Sequence, residues 1–188
     1  MTETVFIEEL FIKHLVNCYL YCPDLFVIHP ARWRDKFVRF VICSAMFIGE
    51  YNFSMDLKGR IAIPVKFRRA LGKEFVVTKG LDNCLSIYTK EEWTKIAERV
   101  SALPISQSNS RAFSRLMLGG AMDVRLDSQG RIVLPDYLRQ YAGIAKKVVI
   151  AGLYNRLEIW DEDKWNIYKK QTEKNSNEIA EQLTILGA

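Results

Sequence analysis

The chain has 188 residues, 49% of them hydrophobic and 12% aromatic, which excludes a disordered polymer and leaves room for one large domain or two small ones. Lysine and arginine outnumber aspartate and glutamate by 27 to 22, and the resulting +5 favours acidic partners only mildly. No apolar run reaches the ~18 residues that a membrane span needs, because Arg39 and Gly49 interrupt the best candidate, Phe37 to Ile48.

Residues 1–45 are rich in aromatic side chains and show no clear period. Glu3, Glu8 and Glu9 stand where a secretory signal would carry positive charge. Cys18, Cys22 and Cys43 lie here and Cys84 lies downstream; their spacing fits neither a disulfide framework nor a metal set and predicts reduced thiols in a cytosolic chain. Nothing in this segment recurs later. The expectation is an N-terminal extension, a misassigned start or a disordered arm, with the functional start at Met46.

From Met46 onward the chain repeats itself. DLKGRIAIP at 56–64 and DSQGRIVLP at 127–135 share Asp, Gly, Arg, Ile and Pro at an offset of 71. Phe67-Arg68 then lies opposite Leu138-Arg139, and Gly72 opposite Gly143. One inserted residue raises the offset to 72. Val76-Val77 then faces Val148-Val149, Gly80-Leu81 faces Gly152-Leu153, and Leu85-Ser86-Ile87-Tyr88 faces Leu157-Glu158-Ile159-Trp160.

In chain order, the first copy opens with a strand over 50–55. Asp56-x-x-Gly59 follows, with aspartate suited to the first position of a tight turn and glycine to the left-handed position that closes a bulged hairpin. A returning strand over 60–63 ends at Pro64, which suits the start of a helix because proline lacks the donor that a first turn leaves unused. Two helical turns end at Gly72 as a C-terminal cap. Strands over 74–79 and 84–88 come next, then an amphipathic helix carrying Trp93, Ile96, Ala97 and Val100. Pro104 and the Ser106–Ser110 stretch read as a linker, followed by a short helix over 111–118. The second copy repeats the pattern with strands over 121–126, 131–134, 147–151 and 156–160, and a helix through Trp165 and Tyr168. The half-motifs therefore span 46–100 and 119–168, joined by a linker and short helix over 101–118, with a polar tail over 169–188. Each half is too small to bury a good core and leaves open sheet edges. The expectation is an intramolecular pseudo-dimer with its two turns near a pseudo-two-fold axis.

Arg60 and Arg131 follow the turn glycines directly. A guanidinium fork fits guanine edges or phosphate oxygens. Lys58 at the first turn's tip adds a point charge for a phosphate backbone, and Gln129 in the second can hydrogen-bond but not attract from a distance. Residues 54–79 carry seven basic and two acidic residues against five and two over 125–150, so the first copy is expected to make the stronger electrostatic contact. Asp56, Gly59, Asp127 and Gly130 read as turn-forming, since a carboxylate repels DNA. The bland alternative is a purely structural turn in which each arginine pairs with its own aspartate. No enzyme, metal or cofactor is expected. His14 and His29 are the only histidines and lie outside the repeat, and no phosphate-cradling loop or nucleophile cluster recurs.

The paired DLKGR and DSQGR motifs, each followed by strand, proline and helix, resemble those of the MraZ transcriptional regulators, and the half-motif is similar to the swapped-hairpin AbrB-type DNA-binding fold. MFIGEYNFSMDLKGRIAIP, LGGAMDVRLDSQGRIVLP and VVIAGLYNRLEIWDEDKW carry the resemblance, which covers residues 46 to about 170. It implies a β-rich α+β fold in which tandem half-motifs form a pseudo-two-fold barrel with flanking helices. It also implies a cytoplasmic, nucleoid-associated homo-oligomer, a ring of several subunits with no small-molecule substrate. Such a ring binds direct repeats of double-stranded promoter DNA and represses its own gene and the division and cell-wall cluster. DNA contact then falls to Arg60, Arg131, Lys58 and Gln129. An alternative use of the same fold is an antitoxin-like module that titrates a partner enzyme.

Overall fold

The computed structural model describes residues 46–185; the expectation for residues 1–45 lies outside them. The first half supplies β1 (Phe47–Ser54), β2 (Arg60–Ala62), α1 (Val65–Leu71), β3 (Glu74–Lys79), β4 (Leu85–Thr89) and α2 (Lys90–Ser101). Helix α3 (Ser108–Met117) leads to β5 (Met122–Arg125), β6 (Arg131–Val133), α4 (Asp136–Ala142), β7 (Lys147–Tyr154), β8 (Arg156–Asp161), α5 (Glu162–Lys174) and α6 (Ser176–Ile185). Local chemistry sets most of these boundaries. Pro64 and Pro135 stand just before α1 and α4, and Gly72 and Gly143 end them at φ +76° and +65°. Thr89 caps α2 by accepting from the Glu92 amide, and Asp161 caps α5 by accepting from the Asp163 amide. Helix α3 begins at Ser108, three residues before its expected start, because the Ser-rich stretch is compatible with a first helical turn.

The two halves interdigitate. Six strands form one antiparallel sheet in the order β1-β7-β8-β4-β3-β5, and β2 pairs with β6 in a separate ribbon. Exchanging each strand for its counterpart reverses the sheet order and leaves it otherwise unchanged, so a pseudo-two-fold axis passes between β4 and β8. Their register agrees: Leu85 faces Ile159, Ser86 faces Glu158 and Ile87 faces Leu157, a set that maps onto itself. In the ribbon, Arg60 faces Val133, Ile61 faces Ile132 and Ala62 faces Arg131, again self-mapping.

Three expectations are corrected here. The strands on either side of each turn do not pair as a hairpin. Strand β1 crosses to β7, β5 crosses to β3, and β2 pairs with β6, so each half keeps one hairpin and lends two strands to the other. The expected barrel is not closed among the described residues, since β1 and β5 are the outer edges of the large sheet. Finally, pairing places Phe75, Val76 and Val77 opposite Thr89, Tyr88 and Ile87, as it places Val148, Val149 and Ile150 opposite Asp161, Trp160 and Ile159. The structural offset between β3 and β7 is therefore 73, not 72. Two residues are added after α4, and one is removed between the equivalent pairs Lys79–Leu85 and Gly152–Leu157, which enclose five and four residues.

Burial explains that register. Phe75, Val77, Val148 and Ile150 point into the main core with Ile61, Ile63, Phe67, Ile132, Leu134 and Leu138. Val149 lies on the opposite sheet face with Cys84, Trp160 and Trp165. A one-residue slip would turn every side chain of a strand to the wrong face. Both halves fill the main core, so neither closes it alone. Thr78, fully buried, donates its hydroxyl to the Met117 carbonyl at 2.6 Å and so ties α3 to β3 without leaving an unpaired polar group.

Candidate nucleic-acid interface

Each turn is built around its aspartate. One Asp56 carboxylate oxygen accepts from the amides of Lys58 and Arg60, both at 2.9 Å, and the other accepts from Arg60 Nε at 2.6 Å. The Asp56 carbonyl accepts from Gly59, and its amide donates to the Arg60 carbonyl. Asp127 repeats the set, accepting from the amides of Gln129 and Arg131 at 2.9 Å and from Arg131 Nε at 2.9 Å. These donors hold both carboxyls below the ordinary aspartate value, the arginine amide contributing most. Gly59 and Gly130 sit at φ +72° and +75°, where a side chain is strained.

The sequence-expected residues are thus brought together in two clusters, and Asp56, Gly59, Asp127 and Gly130 shape the turns. The arginines are not free forks. Arg60 and Arg131 side chains are 29% and 28% exposed, each paired with its own aspartate. This pairing matches the bland alternative, and it also fixes the direction of each guanidinium while leaving part of it open. Lys58 and Gln129 are exposed at the tips. Leu57 beside Lys58 is fully exposed, whereas Ser128 holds its place in the second turn.

What the sequence reading missed is that each turn is held by the opposite half. Ile63 donates its amide to the Gly130 carbonyl at 3.0 Å, and Leu134 donates to the Gly59 carbonyl at 2.9 Å. Arg68 on α1 lies directly against Gly130, and Arg139 on α4 lies against Gly59. Arg68 Nε also donates to the Ile63 carbonyl at 2.8 Å, whereas Arg139 forms an ion pair with Asp136. The signal was present in the alignment of Phe67-Arg68 with Leu138-Arg139, but nothing there told which turn each arginine would meet.

This crossing corrects the expected charge balance. Arg68 and Arg69 of α1 count toward the first half in sequence, yet they stand beside the second turn in space, whereas Lys66 lies over the Tyr51 and Phe67 rings. Arg68, Arg69 and Lys73 border an open cleft with Asp127, Ser128 and Gly130. The first half's excess charge is therefore shared between both turns. Among the described residues no helix is long and apolar enough to cross a membrane, and no three His, Cys, Asp or Glu side chains gather as a metal would require.

Comparison with known proteins sets this geometry in a family. Two successive segments, residues 46–116 and 117–186, match the family model described as "MraZ protein, putative antitoxin-like". The chain belongs to the MraZ family. Relatives named transcriptional regulator MraZ include one from Natranaerobius thermophilus, 49% identical over 138 residues, which span 73% of this chain and 96% of that protein. Another from Acetivibrio thermocellus is 46% identical over 142 residues, 76% of this chain and 99% of the relative. A third, from Caldanaerobacter subterraneus, is 46% identical over 138 residues, 73% of this chain and 96% of the relative. Each of the two matched segments holds one turn and the helix that lies against the other turn.

Proposed function

We propose that this MraZ family member is a sequence-specific DNA-binding transcriptional regulator that presents its two Asp-x-x-x-Arg turns to double-stranded DNA. The observation that carries the reading is the duplication of one rigid, aspartate-aimed arginine on either side of a pseudo-two-fold axis, in a chain whose relatives are named transcriptional regulators. Arg60 and Arg131 read bases or grip phosphates, Lys58 attracts the backbone, and Gln129 hydrogen-bonds without long-range pull. The acidic partners of the arginines orient them and face away from the DNA. The outer edges of β1 and β5 support assembly with further copies, for which a ring binding several promoter repeats is the reading carried over from the resemblance. Repression of its own gene and of the division and cell-wall cluster, from a cytoplasmic and nucleoid-associated pool, completes the proposal.

Footprinting on the DNA immediately upstream of the chain's own gene tests it. Repeated protected segments are expected, and Arg60→Ala or Arg131→Ala should weaken protection by roughly tenfold or more per contacted site while the melting temperature changes little. Loss of binding only in step with unfolding would assign the arginines to structure. Absence of any protected segment, with the chain folded, would remove the DNA-binding reading.

A further inference from the structure

We propose that the cleft between the second turn and helix α1 is a seat for a DNA backbone phosphate, with Arg69 and Lys73 as its ligands and Arg68 as its floor. The inference rests on the DNA-binding reading and adds a contact surface to it.

The cleft is open, and it is bordered by Arg68, Arg69 and Lys73 on one side and by Asp127, Ser128 and Gly130 on the other. Its single carboxylate is already engaged, because Asp127 accepts from the Arg131 side chain and from two turn amides. Neighbouring Glu74 is likewise paired, with Arg125 at 2.7 Å. Arg68 is pinned by its bond to the Ile63 carbonyl, so its guanidinium stays against Gly130. Arg69 and Lys73 are exposed, and neither has a carboxylate within ion-pair distance among the described residues. Three cations around one neutralised acid form a surface that attracts an anion. The turn beside it, which carries Arg131, sets the anion's identity as the backbone of the same DNA.

The counterpart position is different. Beside the first turn, α4 offers Arg139, which is paired with Asp136, and then Gln140 where α1 has Arg69. The lysine is retained: Met55 donates to the Lys146 carbonyl as Leu126 donates to the Lys73 carbonyl. The first turn carries its own tip cation, Lys58, where the second has Gln129. Because the halves are crossed, the cation missing from the second tip is supplied by Arg69 from the other half.

The test measures binding of the full chain to a random-sequence duplex across a series of chloride concentrations. Each lost phosphate contact lowers the slope of log affinity against log salt by roughly 0.9 per engaged subunit. Arg69→Gln with Lys73→Gln should lower the slope by roughly two units per engaged subunit and leave thermal melting unchanged, since both side chains are exposed. Adding Gln129→Lys should return about one unit. Adding Gln171→Lys instead restores the same net charge on α5, which packs on β7 and β8, and should return none. A wild-type slope in the double variant, or equal rescue by the two added lysines, overturns the phosphate seat. A wild-type chain whose binding shows no salt dependence, or that does not bind, overturns the DNA-binding reading itself.

Discussion

Gly59 and Gly130 occupy the same place in the repeat, yet alanine at the two positions is expected to cost different amounts. Both lie at positive φ, +72° and +75°, where an alanine costs about 1–2 kcal/mol. At Gly59 the new Cβ would stand 3.2 Å from the Arg139 guanidinium carbon, close enough for a small shift to absorb. At Gly130 it would fall inside the van der Waals envelope of the Arg68 guanidinium, which must then move away. That movement breaks the 2.8 Å bond from Arg68 Nε to the Ile63 carbonyl, a net loss of about 0.5–1.5 kcal/mol. Gly130→Ala is therefore expected to cost about 1.5–3.5 kcal/mol and Gly59→Ala about 1–2 kcal/mol. Urea unfolding of both variants at one protein concentration measures the difference. Arg68→Ala placed on top of Gly130→Ala should add little, because the same bond is already lost. Equal midpoints for the two glycine variants, or a fully additive double variant, would refute the crossed support of the turns.

Three further outcomes follow from the core and the turns. Phe67 is 1% exposed and meets the rings of Phe47 and Tyr51 edge-on at 5.5 and 5.4 Å; Phe67→Ala should cost about 3–5 kcal/mol in chemical unfolding, and a cost below that of the glycine variants would contradict its central place. Burial pushes the Cys84 thiol up to about 12, so peptide mapping after iodoacetamide treatment at neutral pH should show Cys84 unmodified in the native chain and modified in urea; equal labelling in both states would be inconsistent with the buried thiol. Asp56 and Asp127 have lowered folded-state values, so their stabilisation is complete above the ordinary 3.8 and is lost as pH falls through the lowered values. The melting-temperature gap between the wild type and Asp56→Asn/Asp127→Asn should therefore shrink in that acid range, and a gap that widens there would reverse the assignment.

The turns were legible in the sequence because their chemistry is local. Asp56 accepts from amides two and four residues away, and Gly59 closes the loop it belongs to, so the spacing of five residues contains the whole motif. Strand pairing was not legible in the same way. Ile61 would be buried equally well against its own half or against Ile132, and hydrophobic alternation carries no label for the partner. The offset of β3 against β7 is hidden in the sequence for a related reason. The identities Gly80-Leu81 and Gly152-Leu153 favoured 72, but Val77 and Ile150 share the core face and Val76 and Val149 share a register position, which requires 73. Charge counted along the chain likewise failed to find Arg69 and Lys73, because the crossing carries them to a turn more than fifty residues away in sequence.

The crossing also gives the tandem duplication a physical consequence. Two identical halves meeting on a true two-fold axis would carry the same side chains at both turns. Joined in one chain, they can diverge, and the divergence here is not random in charge. The first tip has Lys58 and its supporting helix has Gln140; the second tip has Gln129 and its supporting helix has Arg69. Each turn thus keeps one cation of the variable pair, although each half, read along the sequence, holds either both cations or neither. A half excised and dimerised on its own would lose this balance: the first half would place Lys58 and Arg69 at both turns, and the second would place Gln129 and Gln140 at both. The unit that carries a balanced pair of turns is the full tandem.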